Sequence, residues 1–126
     1  MKKKIVQLVV IGLLFLVFQS FSPDTPPGEV FPEEISTILK TSCYDCHYTG
    51  AKAEKALKAV NFEEWGELRA TKKIALLGEI CTVMEEGKMP PEKYLEHKPD
   101  SKLSEKQIKL LCEWTEQEAE KLMQGN

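Results

Sequence analysis

With 126 residues, 42% of them hydrophobic, and a formal net charge of −3, the chain has room for one small domain and an additional segment, not for two domains. The acidic balance excludes a nucleic-acid binder, whose partner would be a polyanion. With four cysteines and two histidines in the whole chain, metal or redox chemistry has few positions to occupy.

Lys2, Lys3 and Lys4 precede an apolar run from Ile5 to Phe18. That order marks residues 1–22 as a signal peptide or an N-terminal membrane anchor. Ser20 and Ser22 are small residues of the kind a signal peptidase reads, whereas Pro23 is a poor residue to follow a cut. The uncharged stretch approaches the roughly 18 apolar residues of a spanning helix, diluted by Gln7, Gln19 and Ser20. Both readings stay open, and both put the rest of the chain outside the cytoplasm, in the periplasm. It is there either soluble after cleavage or held at the inner membrane by residues 5–22. Loss of the three lysines would leave the remainder three units more negative. Residues 23–30, with three prolines and a glycine, read as a linker.

Residues 31–126 form the domain. Pro32 suits a first helical position, Glu33 and Glu34 favour the positive end of a helix, and Ile35, Ile38 and Leu39 make an apolar stripe. This first helix ends in "SCYDCH", residues 42–47. A second helix is expected over Ala51 to Val60, with Ala53, Ala56, Leu57 and Val60 on one face. Asn61 would then cap a short turn containing Phe62 and Trp65. A third helix, capped by Thr71, repeats Ile74, Leu77, Cys81 and Met84 at helical spacing and stops at Gly87. Pro90, Pro91 and Pro99 predict a loop over residues 88–103. Ser104 and Gln107 form a capping box for the last helix, which buries Ile108, Leu111 and Thr115 or the adjoining Leu110 and Trp114. No strand pattern appears, so the expected fold is all-α, with four or five short helices. A domain this small profits from a cofactor or crosslink at its centre.

Cys43, Cys46 and His47 stand at i, i+3 and i+4, on one face of a helical turn. Cys-x-x-Cys-His is the spacing of c-type haem attachment, in which two thiols add to the porphyrin vinyl groups and the histidine ligates iron. Three other uses compete. A thioredoxin-like pair needs a βαβ setting that is missing here. A tetrahedral zinc site from Cys43, Cys46, Cys81 and Cys112 lacks a second close pair. A Cys43–Cys46 disulfide would be strained within one turn and leaves His47 without a role.

The second axial position is assigned to Met89, in a Pro-bounded loop just past a helix end, where the backbone leaves its thioether room to approach the iron. His97 is the alternative and would give a lower potential. Cys81 and Cys112 fall near the buried faces of their helices and could stay free or pair in an oxidising compartment. Trp65 and Trp114 are read as core.

With those residues placed, the chain resembles the small haem-binding domain family of exported bacterial monohaem c-type cytochromes. The resemblance runs from about Phe31 to the C-terminus through "SCYDCH", "NFEEWG", "EEGKMPP" and "YLEHKPDSKLSEKQIKLLCEW". Where such domains carry a Pro- and Trp-containing stretch after the motif histidine, this chain has the helix-forming "YTGAKAEKALKAV". The resemblance implies one covalent haem c bound by Cys43, Cys46 and His47, with Met89 as sixth ligand. The expected role is single-electron transfer between redox proteins of the cell envelope, with membrane contact only through the N-terminal segment. An acidic surface would favour partners presenting a basic patch. No acid-base constellation near the motif recommends an enzyme. The alternatives are a haem-based enzyme or gas sensor with a displaceable sixth ligand, or a structural zinc or disulfide domain.

Overall fold

The computed structural model describes residues 30–125; the signal or anchor segment and nearly all of the linker lie outside the described residues. Six α-helices follow in chain order: α1 (Glu33–Ser42), α2 (Tyr44–His47), α3 (Glu54–Ala59), α4 (Ala70–Glu85), α5 (Glu92–His97) and α6 (Glu105–Met123). Two 3-10 helices, Phe62–Glu67 and Pro99–Ser101, complete the set. The all-α expectation holds, with more segments than the four or five anticipated. The additional ones come from the motif turn and the Pro-rich stretch.

Local chemistry sets most boundaries. Pro32 is the N-cap of α1, one position earlier than anticipated, and Glu33 and Glu34 occupy its first turn, where carboxylates meet the positive helix end. α1 stops because Cys43, at φ −123° and ψ −37°, leaves helical geometry. Asn61 caps the first 3-10 helix through its side chain, as expected. Thr71 does not cap α4, whose N-cap is Arg69, with no side-chain hydrogen bond; the helix runs two residues further back than the threonine suggests.

The other end of α4 follows the sequence closely. Gly87 adopts a φ of 67°, its N–H donates to the Met84 carbonyl, and the N–H of Lys88 donates to the Val83 carbonyl. This is a Schellman ending, which needs a residue free to enter the left-handed region. The predicted loop over 88–103 is corrected: Pro91 is the N-cap of α5 and Pro99 opens the second 3-10 helix. A proline lacks an N–H, and the N–H groups at the start of a helix have no intrahelical bond to lose. At α6, Ser104 and Gln107 form the reciprocal capping box.

α4 packs along α6 in the most extensive helix pairing of the domain, and Cys81 is disulfide-bonded to Cys112 across it. The bond settles the open state of these two residues and overturns the zinc alternative, because two of its four thiolates are consumed. α1 closes the core with Ile35, Ile38 and Leu39. Leu39, Leu77 and Leu111 are the largest fully buried side chains, each stabilising the fold by roughly 1.5–3 kcal/mol relative to exposure. Phe31, Phe62, Trp65 and Trp114 form an aromatic cluster, with Phe31 touching the other three at centroid distances of 5.7–6.0 Å. Both tryptophans are therefore core residues. Among the described residues no helix is long and apolar enough to cross a membrane.

Candidate functional site

Helix α2 is a single turn that, with its N-cap Cys43, carries the motif. The N–H groups of Cys46 and His47 both donate to the Cys43 carbonyl, at 3.2 and 2.9 Å. The three motif side chains consequently face one way, and all three line a cavity of about 460 Å³. Cys43 and Cys46 are free thiols, so the Cys43–Cys46 disulfide is overturned as well. Burial, and secondarily the neighbouring Cys46, push the Cys43 thiol up to about 12. A group held that firmly as a neutral thiol is a poor thiolate donor for a bare cation.

His47 is oriented from behind. Its Nδ1–H donates to the carbonyl oxygens of Ala56 and Val60, each at 3.1 Å. That arrangement fixes the tautomer and leaves Nε2 with its lone pair. Both acceptors belong to α3 and its C-terminal cap. The chain turns at Gly50, which takes a φ of 91°, and α3 is shorter than the expected Ala51–Val60 segment because Ala53, its N-cap, has a non-helical ψ of 75° and Val60 is already extended. Asn61 Nδ2 donates to Thr49 Oγ1 at 2.9 Å and so closes this turn against the start of the next element.

The cavity walls come from several elements. Ala53, Ala56, Ala59 and Val60 form one side, so the run "KAEKALKAV" is a wall made of small side chains that let the backbone approach closely. Leu76, Ile80 and Val83 of α4 form another. These three were missed in the sequence, although their spacing at i, i+4 and i+7 is helical. α4 is apolar on two faces, one toward α6 and one toward the cavity. The stripe of Ile74, Leu77, Cys81 and Met84 announces only the first, and its last member, Met84, in fact lines the cavity.

Met89 and Tyr94 complete the lining from the opposite limb. Lys88 and Met89 both donate their N–H groups to the Val83 carbonyl, at 2.8 and 3.2 Å, so Met89 is launched directly from the end of α4. Its side chain lines the cavity while the residue remains 38% exposed. His97 is not part of the lining. It ends α5, lies exposed, and donates from Nδ1 to the Lys93 carbonyl of its own helix at 2.9 Å. The structure thus brings Cys43, Cys46, His47 and Met89 together and leaves His97 apart.

Asp45, between the two motif cysteines, was missed. Its Oδ2 accepts from Tyr94 Oη at 2.9 Å and from Lys98 Nζ. These hydrogen bonds, Lys98 first, hold the Asp45 carboxyl below its usual range. Ser101 Oγ donates to the Thr41 carbonyl at 2.9 Å. The partners of Asp45 lie 49 and 53 residues away in sequence, and nothing local announces them.

A haem group fits these residues. The volume is within the roughly 300–1,000 Å³ of ligand pockets. The donor set offers an imidazole with a free Nε2, a thioether and two free thiols in mostly apolar surroundings. No curated protein and no solved structure matches the chain. The model of the haem-binding domain family matches residues 48–117, from the residue after His47 through most of α6. That segment covers Met89, His97 and both disulfide cysteines, and it exceeds half of the chain, which therefore belongs to the haem-binding domain family.

Proposed function

We propose that this domain is a monohaem c-type cytochrome that passes single electrons between redox proteins of the cell envelope, and that it is a carrier and not an enzyme. The observation that carries the reading is the convergence of Cys43, Cys46, His47 and Met89 on one apolar cavity. Haem held there supplies a one-electron iron couple. Cys43 and Cys46 would anchor the ring through two thioethers. His47, braced by the Ala56 and Val60 carbonyls, would hold the iron through Nε2, and Met89 would supply its thioether as the second ligand. The alanine wall of α3 and the Leu76, Ile80 and Val83 wall of α4 line the cavity with apolar groups, which would keep solvent reorganisation small during transfer. Export rests on the N-terminal sequence, where three lysines lead an apolar run; a retained segment would tether the domain to the inner membrane.

The test is an absorption spectrum, oxidised and reduced, of protein matured in cells able to attach haem, together with an intact mass measured under denaturing conditions. One haem retained through denaturation, with a low-spin spectrum, is expected. Protein that carries no covalent haem would overturn the c-type assignment.

The exposure of Met89 favours a second reading. A thioether accessible to solvent is easier to displace, and a vacated sixth position would serve a gas sensor or haem-based enzyme. A high-spin spectrum would select it.

A further inference from the structure

Met89 is separated from α5 by Pro90 and Pro91 alone. Two consecutive prolines fix two φ angles, so the position of α5 is transmitted stiffly to Met89. What fixes α5 is then the question. Its Tyr94 and the following Lys98 both reach the carboxylate of Asp45, on the motif turn itself. Behind them Ser101 is tied to the last turn of α1 through the Thr41 carbonyl.

The hydrogens in this cluster can be assigned. Ser101 spends its one hydroxyl hydrogen on Thr41, and Tyr94 spends its own on Asp45. The 3.3 Å approach of Tyr94 Oη to Ser101 Oγ has no hydrogen left and is the weak member. Every strong bond therefore runs from the Met89 limb to the segment that carries Cys43, Cys46 and His47. Lys98 and Asp45 are both substantially exposed, where ion pairs contribute little to global stability. Their placement, between the elements bearing the two proposed axial ligands, is what gives them consequence.

We propose that Asp45, Tyr94 and Lys98 are positioning residues that latch the Met89 limb to the motif turn and so set how readily the sixth position opens. The proposal deepens the cytochrome reading and rests on it. An exogenous base can bind only after Met89 has left, so its apparent affinity scales with the fraction of open limb. Weakening the latch raises that fraction without altering the iron's permanent partners.

The experiment titrates haem-loaded protein with imidazole, in the wild type and in Tyr94→Phe, Lys98→Met and the double variant. Each is made both with Met89 and with Met89→Ala, and far-UV circular dichroism checks the fold. Tyr94→Phe keeps the ring that packs in the cavity, and Lys98 is exposed, so both variants should fold. With Met89 present, the double variant should bind imidazole about tenfold more tightly, corresponding to a tenfold larger open fraction. In the Met89→Ala background the same substitutions should leave the affinity unchanged. Unaltered affinity with Met89 present, or a gain that persists in Met89→Ala, overturns the latch. A wild type without the methionine-to-iron charge-transfer band overturns the Met89 ligand reading and the latch with it. Wild type that shows the band while the variants do not respond sinks the latch alone.

Discussion

His47 Nδ1 donates to the main-chain oxygen of Val60 at 3.1 Å, so the motif histidine is aimed by the far end of the helix that follows it. With the second bond to Ala56, the imidazole is held on the tautomer that leaves Nε2 available. In the proposed cytochrome, donation from Nδ1 would make the ring a more basic ligand, favouring the oxidised metal and lowering the potential.

This support can be weakened without touching His47. Ala56→Gly with Lys58→Gly puts two glycines into a helix of six residues, at a cost of about 1 kcal/mol each. Fraying α3 should relax both carbonyls and raise the midpoint potential in a spectroelectrochemical titration. A potential that stays put while α3 loosens would mean that the carbonyls do not tune the ligand.

Met89 and His97 make separable predictions. Met89 lines the cavity, while His97 is committed to its own helix through Lys93. Met89→Ala should abolish the methionine-to-iron charge-transfer band, and His97→Ala should leave both band and potential unchanged. The reverse result would assign the sixth position to His97 and require α5 to unwind at its C-terminal end.

What the sequence revealed of this arrangement tracks the range of the interactions involved. Gly87, Asn61 and the Ser104–Gln107 pair act on the backbone within three residues of themselves, so their signals read correctly. The shared face of Cys43, Cys46 and His47 was legible for the same reason, since one helical turn aligns the three side chains, whereas the bracing of His47 by Ala56 and Val60 was not. α5 is hidden in the sequence because Pro90, Pro91 and Pro99 look like helix breakers, whereas Pro91 is the cap that starts one. The inner face of α4 was hidden because a helix apolar on two sides has no single stripe to find. The Asp45–Tyr94 bond joins residues 49 apart, and only the folded chain brings them within reach.

The Cys81–Cys112 disulfide, at a sequence separation of 31, carries a stability prediction. Closing a loop of that length in the unfolded chain is worth roughly 3–4 kcal/mol by loop entropy. The bond also spans the α4–α6 packing that forms one side of the core. Cys81→Ser with Cys112→Ser should lose about that much in denaturant unfolding of the haem-loaded protein, with little change in the spectrum, since neither residue lines the haem cavity. A loss below about 1 kcal/mol would show that α4 and α6 hold together by packing alone.

Tyr94 supplies a pH dependence whose sign can be worked out. Burial first, then the hydrogen bond to Asp45 and its charge, push the phenol above its ordinary value of 10.0, against opposing contributions from Ser101 and Lys98. The folded state thus holds the phenolic proton more tightly than the unfolded chain. Its contribution to stability is fully present below pH 10 and is lost as the pH rises through the raised folded value. The latch requires the same proton, because a phenolate facing the Asp45 carboxylate would repel it. Unfolding measured from neutral to alkaline pH should therefore show stability falling on the alkaline side of pH 10, and Tyr94→Phe should flatten that fall. Imidazole affinity of the wild type should rise over the same interval, and more steeply than that of Tyr94→Phe, in which only the Lys98–Asp45 pair remains to titrate. Parallel curves for the two proteins would mean that the Tyr94 proton is not what holds the limb in place.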